Sequence, residues 1–447
     1  MPGIAYSSLQ ITLRSSSRQS DNLTFFLFSF GDPKYRHKEK KSLIPWIRLP
    51  WLGMGTRKEE NMNSTKKFYA GSEWLDRENG NYPNYHIVGG DFGNSANKTW
   101  GPHGMSRFPS FAVRMGRFWE ILDLTPSTIQ LEDLVSGDVW LLGEKAQAQL
   151  SAGIRSVSEQ EQYSRYRWRS PWFRALVMAS LGSSFKDKGE QRKRIILQTA
   201  LPDGEMHEDR SEFRDVLSGH FHFRLKRGDS DFREYDFEIR REDISVMKQS
   251  KATVFSACMD SAMIHTPDSD RIISKKTMIM DGGFGALNVC PYIGGTFLQG
   301  SIYRDLGMKR ILHDTCERFY AKYGVHVPVP AMQSHLEEGM ISIPDRKKGR
   351  YATRKQPFGD ILEEVSKNIC LEALERIKQS SSFGAFNTLI LGGGTCAAWE
   401  DYIRAMLSQY KGLTIISAGR NVNVSPVFSV SRGLFEYRYL KLLYGRA

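Results

Sequence analysis

The chain has 447 residues, with 62 Lys and Arg against 50 Asp and Glu, a net charge of +12 and a mean hydropathy of −0.43. With 40% hydrophobic and 25% charged residues it has a globular composition, which excludes wholly disordered, collagen-like and membrane-embedded chains. At roughly 100–200 residues per domain the length allows two to four domains, and it can bury a core that needs no disulfide or metal staple.

Residues 1–61 read differently from the rest. The longest apolar run, residues 23–30, is closed off by Asp21 and Asp32 and falls short of the roughly 18–20 residues of a membrane span. No small-residue cleavage site follows it, so a secretory signal is not expected. Residues 34–41 (KYRHKEKK) form a basic run. Two readings stay open for this extension: a disordered basic arm, or a misassigned start with the true one at Met54 or Met62, which the run NMNSTKKFYAG favours.

From Tyr85 onward the pattern is mixed α and β. Residues 86–90 predict a buried strand running into glycines, and residues 111–119 and 138–142 two more strands. Residues 166–181 carry apolar residues at helical spacing. Arg194–Leu201 reads as a buried strand stopped by Pro202, and residues 221–225 and 235–239 as alternating antiparallel strands. Residues 277–280 predict another buried strand before glycines. Residues 305–323 and 361–379 are amphipathic helices, the latter with Ile361, Val365, Ile369 and Ala373 four apart. Residues 386–391 predict a third strand that meets a glycine cluster, with a helix starting near Ala397.

The five cysteines, Cys258, Cys290, Cys316, Cys370 and Cys396, contain no C-x-x-C pair and the histidines show no ligand spacing. Neither a disulfide framework nor a zinc site is expected, and a reducing cytoplasm is the simplest compartment. The positive balance favours polyanionic partners and equally describes a solvated basic surface.

The informative feature is a threefold recurrence of strand followed by glycine turn: Asp91-Phe92-Gly93-Asn94-Ser95, Asp281-Gly282-Gly283-Phe284-Gly285, and Gly392-Gly393-Gly394-Thr395. Glycines allow backbone N–H groups to approach an anion closely. The first two turns place an aspartate at the strand end, where a carboxylate can hold the water shell of Mg²⁺. The third leads into a helix whose N-terminus favours phosphate. Neither a P-loop nor an opening G-x-G-x-x-G is present. About 190 residues separate the first two turns and about 110 the last two.

This arrangement resembles the actin superfamily, and within it the bacterial plasmid-segregation actins of the ParM/StbA-like branch. The supporting segments are GDFGNS at 90–95, GDVWLLGEKAQAQ at 137–149, TALP at 199–202, residues 246–254 around Gln249, Gly307-Met308, and the tail PVFSVSRGLF at 426–435. The likeness runs from Tyr85 to the C-terminus, with a weak stretch at 203–243. It implies an α/β, two-lobed ATPase fold of duplicated ribonuclease-H-like βββαβα domains with smaller inserted subdomains. The expected lobes are 85–270 and 271–425, with a C-terminal helix, 426–447, returning to the first.

The resemblance also implies roles. Asp91 and Asp281 would hold Mg²⁺ through water. Backbone N–H groups of Gly93, Asn94, Ser95, Gly283, Phe284 and Gly285 would cradle the β- and γ-phosphates, with Lys98 returning its ammonium to them. Gln249 would orient the attacking water. Gly392, Gly393, Gly394 and Thr395 would pack against adenosine and α-phosphate, and Glu337 would contact adenine. Each has a plainer structural alternative: turn aspartates accepting N–H bonds, a solvated lysine at 98, an exposed loop amide at 249. The second turn lacks the Thr and acidic residue usual in the family, having Gly283-Phe284-Gly285-Ala286-Leu287-Asn288 instead.

The implied function is a cytoplasmic ATPase, using ATP or GTP with Mg²⁺, that assembles into helical filaments of itself. Those filaments would move plasmid DNA indirectly, through a DNA-bound adaptor of ParR type, with no membrane involved. Two rivals stand beside it: a monomeric kinase of the same superfold, and a nucleotide-independent structural filament or DNA-binding protein. Direct DNA contact would need a basic face, for which residues 186–194 and 346–354 are the candidates.

Overall fold

The computed structural model describes residues 65–444 apart from 70, 81, 117–123, 152–162, 346–351 and 423. The expected basic extension 1–61, Met54, Met62 and most of the basic run 346–354 lie outside the described residues.

The first lobe is built on a six-stranded sheet. Strands Tyr85–Phe92, Ala96–Trp100 and Gly104–Pro109 follow one another antiparallel. Arg194–Leu201 and Ile244–Lys248 then add in parallel on the other side of Tyr85–Phe92. Counting these five in order of appearance, they lie 3-2-1-4-5. The two middle strands are buried along almost their whole length, which is why they read as continuous apolar runs rather than alternating ones. An extra strand, Glu73–Asp76, pairs at the edge beyond Gly104–Pro109, so the folded chain starts before Tyr85.

Between the third and fifth strands the chain builds a second, five-stranded antiparallel sheet from Ala112–Met115, Ile129–Asp133, Val139–Leu142, Gly219–Arg227 and Arg233–Ile239. Here the burial alternates, one face packed and the other wet. On the wet face His220 pairs with Asp236 at 2.6 Å and His222 with Glu234 at 2.8 Å, so the HFHF motif is a solvated cross-strand ladder. The weak stretch 203–243 belongs largely to this insertion.

The second lobe repeats the first topology. Lys276–Gly282 and Leu287–Ile293 form a hairpin, to which Thr296–Phe297 and Ser301–Tyr303 add, and Thr388–Gly392 and Thr414–Ser417 follow in parallel. With Ser301–Tyr303 set aside as a branch on Leu287–Ile293, the other five again lie 3-2-1-4-5. Helix Gly359–Ser380 faces the core with Val365, Ile369 and Ala373 as expected, and Leu362 rather than Ile361 completes the stripe.

Two helices join the sheets. Gln249–Cys258 places Ala252 among Ala200, Met247, Val430 and Leu434, while Val254, Ala257 and Cys258 pack with Ile279, Ile390 and Ile416 of the second sheet. The tail helix Ser429–Leu443 packs back on that helix and on Tyr85–Phe92. The approach is close: a Cβ at Gly433 would sit 2.7 Å from the Ala252 carbonyl carbon, and one at Gly89 2.7 Å from Phe435 N. Arg432 is buried, paired with Glu436 at 2.7 Å and donating to the Met259 carbonyl at 2.6 Å. The Arg-Gly pair of the tail motif is therefore a packing device.

Two expected helix starts shift. Helix Pro171–Gly182 begins five residues after Tyr166, because Ser170 caps it and Pro171 takes the first turn. Helix Gly393–Met406 begins four residues before Ala397, with Gly392 as its cap. All five cysteines are buried and none is in a disulfide. No described helix is long and apolar enough to cross a membrane.

Candidate functional site

Each sheet sends its first hairpin to the same cleft, a cavity of about 410 Å³. In the first hairpin Gly93 N–H closes the turn onto the Ala96 carbonyl at 3.2 Å; in the second Gly283 N–H does the same to Ala286 at 2.9 Å. The ladders are in matching register, so Asp91 faces Lys98 across one and Asp281 faces Asn288 across the other. The turn geometry repeats because both hairpins leave two residues between the closing glycine and its acceptor.

Both aspartates are buried and line the cleft. Lys98 Nζ lies 2.6 Å from Asp91 Oδ2. Among the described residues Asp281 has no ion-pair partner; the Thr253 hydroxyl donates to it at 3.0 Å. Burial pushes the Asp281 carboxyl up to about 6, the nearby Asp91 charge adds to the rise, and the Thr253 hydrogen bond opposes it. Asn288 donates to the Gln249 side-chain oxygen at 3.2 Å. Gln249 is the first residue of its helix and lines the cleft, so it is not a loop residue.

The third turn is built against the second hairpin. Gly393 has φ +75°, and a Cβ there would lie 2.6 Å from Asp281 Oδ1 and closer still to the Gly282 carbonyl oxygen. Only glycine fits this position without strain. Thr395 Oγ1 donates to the Gly283 carbonyl at 2.8 Å. Helix Met308–Tyr323 braces the same hairpin, its Lys309 N–H donating to Phe284 O at 2.8 Å. Gly307 permits that approach, since a Cβ there would come 2.7 Å from Ala286 N.

Of the residues named from sequence, Asp91, Gly93, Asn94, Ser95, Lys98, Gln249, Asp281, Gly283, Phe284, Gly285, Gly393, Gly394 and Thr395 come together on this one cavity. Two do not line it. Gly392 lies behind the turn, where a Cβ would meet Thr253 Cγ2 at 2.6 Å. Glu337 is exposed, in the turn between helix Val329–Ser334 and strand Met340–Pro344, and its charge acts on the Tyr69 hydroxyl instead.

Several lining residues were not expected. Arg167 is buried, donates Nη2 to the Phe92 carbonyl, and finds no hydrogen-bond partner for Nη1 among the described residues. Burial lowers its pKa to about 10, with Asp91 working the other way. Lys309 Nζ lies 4.6 Å over the Tyr163 ring, which packs 5.0 Å from Phe284. Lys67, Phe68 and Tyr69 also line the cleft. The run RYRWR at 165–169, basic and aromatic residues interleaved, was the one signal available for Arg167.

Among the described residues no cluster of three or more His, Cys, Asp or Glu could hold a metal alone. Two carboxylates opposite glycine turns suit a cation shared with phosphate oxygens and water.

No family model matches the chain, and no curated protein does. Solved structures do. It is similar to a non-polymerisable quadruple mutant of the pCBH ParM, at 15% identity and TM-score 0.61 over 80% of this chain and 100% of that one. A 15-stranded ParM filament from Clostridium botulinum matches at 16% identity and TM-score 0.60, covering 79% of this chain and 99% of its own. An archaeal actin homolog matches at 13% identity and TM-score 0.54, covering 79% and 99%. The fold is thus actin-like, α/β and two-lobed, as the resemblance implied.

Proposed function

We propose that the chain is a nucleotide-dependent, polymerising actin-like ATPase of the ParM type, which segregates plasmid DNA. The observation that carries this reading is the pair of equivalent hairpins, one per lobe, that set Asp91 and Asp281 with their glycine N–H groups on one cavity.

In this reading the N–H groups at 93–95 and 283–285 bind the β- and γ-phosphates of ATP or GTP. The N-terminus of helix Gly393–Met406 takes the α-phosphate side. Lys98 and Arg167 add positive charge on the first-lobe side. Asp91 and Asp281 fit Mg²⁺: both are buried, they repel each other, and among the described residues Asp281 has no ion-pair partner. Bound there, Mg²⁺ would neutralise the charge of the transferring phosphate. Gln249, held through its oxygen by Asn288, keeps its amide N–H for a water. Such a water needs orientation more than a tuned base.

A nucleotide bridging both hairpins favours the closed cleft. Head-to-tail contacts between closed subunits do not close on themselves, so they build a helical filament. A DNA-bound adaptor of ParR type would link the filament to its plasmid cargo in the cytoplasm. A slow or non-hydrolysing filament is the second reading, favoured by the absence of hydroxyl and second carboxylate in residues 283–288.

The test is light scattering with parallel phosphate release on the full chain, with Mg²⁺ and ATP, GTP or neither. Scattering that rises with nucleotide and falls as phosphate appears is the expected result. Phosphate without scattering would mean a monomeric enzyme, and scattering indifferent to nucleotide would remove the ATPase claim.

A further inference from the structure

Residues ahead of the first lobe's sheet are planted in the second lobe. Phe68 is only 6% exposed and belongs to the second-lobe core together with Met308, Leu336 and Trp399. Thr65 is fully buried, and a Cβ at Gly339 would lie 2.9 Å from its hydroxyl. Lys67 Nζ reaches Glu363 and the Tyr402 hydroxyl, both at 2.9 Å.

A few residues later the chain is held by the first lobe. Ser72 N–H donates to Glu144 at 2.5 Å, and the Gly71 carbonyl accepts from Arg107 at 2.9 Å. Glu73–Asp76 then pairs with Gly104–Pro109. Tyr69 sits at the crossing, its hydroxyl 3.5 Å from Glu144 of the first lobe, and burial, the Glu144 charge and then the Glu337 charge of the second lobe all push its pKa up. Beside it the lobes already touch, Gln147 donating to the Pro330 carbonyl at 3.1 Å.

We infer that residues 65–69, with Gly71 and Ser72, form a clasp across the mouth of the cleft that must release before the lobes can part. The inference rests on the proposed nucleotide reading for its consequence, because Lys67, Phe68 and Tyr69 line the cavity that the glycine turns face. Opening the lobes requires either withdrawing Phe68 from the second-lobe core or breaking the bonds to Glu144. The clasp therefore sets the rate at which nucleotide leaves and exchanges. The segment precedes every motif of the actin-like resemblance.

Two measurements on the full chain separate the clasp from the nucleotide reading. Hydrogen–deuterium exchange without nucleotide reads the clasp alone, in Phe68→Ala and in the milder Tyr69→Phe. Faster exchange in both Glu144–Ser151 and Val329–Ser334 is expected; a change confined to residues 65–72 would overturn the clasp. Stopped-flow release of N-methylanthraniloyl-ADP with Mg²⁺ reads the consequence. Release should quicken at least about tenfold in Phe68→Ala and about fivefold in Tyr69→Phe. Unchanged release in both would also overturn it. If the fluorescent nucleotide binds none of these proteins, the nucleotide reading fails, and exchange in the two helices still decides the clasp.

Discussion

The two hairpins that face the cleft share one backbone plan and differ in how their aspartates are paired. Asp91 is neutralised across its ladder by Lys98, whereas at the matching rung Asp281 has Asn288, which turns to Gln249. One half of the cleft is thus electrostatically complete in the protein alone. The other holds a buried carboxylate with a hydroxyl donor and, among the described residues, no ion-pair partner. A buried charge without a partner is costly. That cost lowers apo stability and is relieved by an incoming cation, so the asymmetry ties cleft closure to ligand.

The largest effect should come from breaking the second hairpin at its support. Gly393→Ala forces a Cβ into Asp281 and Gly282 at a left-handed φ. It should cost about 4 kcal/mol, seen as a lowered Tm with loss of nucleotide binding by calorimetry.

Breaking the first hairpin's ion pair comes next. Lys98→Met leaves Asp91 facing Asp281 with no cation between them and should cost about 3 kcal/mol by urea unfolding at pH 7.5. Added Mg²⁺ should restore part of it.

The opposite sign is expected for Asp281→Asn. The folded-state pKa of Asp281 is about 6 against an ordinary 3.8, so the folded protein holds this proton more tightly than the unfolded chain. Its penalty is absent below 3.8, grows as pH rises toward 6, and is complete above it. The amide should therefore be more stable than the parent by about 3 kcal/mol at pH 7.5, and indistinguishable from it near pH 3. It should also lose the stabilisation by Mg²⁺ and nucleotide. A stability gap that widens as pH falls would refute this account.

Symmetrising the cleft is the smallest change. Asn288→Lys gives Asp281 the partner that Asp91 already has and should stabilise the apo protein by about 1 kcal/mol at pH 7.5. Because it also frees Gln249, phosphate release should slow although nucleotide still binds.

Much of this molecule is local and therefore legible in the chain. A strand buried on both faces must be apolar throughout, which exposed Tyr85–Phe92, Arg194–Leu201 and Lys276–Gly282. A turn that brings backbone to an anion must be glycine-rich, which exposed residues 93–95, 283–285 and 393–394. The helix at Gly359–Ser380 announced itself by its four-residue spacing. Where helices begin was less legible: Ser170 and Pro171 carried the capping signal, but the apolar period continued upstream of it through Tyr166 and Trp168.

What the sequence by itself determined were the elements and the glycine turns, because conformational preference and burial pattern act over a few residues. Tertiary structure alone decided the pairings. That Asp281 meets Thr253, that Arg167 reaches the Phe92 carbonyl, and that Phe68 lies in the second-lobe core are meetings of residues far apart in the chain. No local preference encodes such meetings; they follow from two copies of one sheet topology joined through the helix Gln249–Cys258, on which Ser429–Leu443 packs.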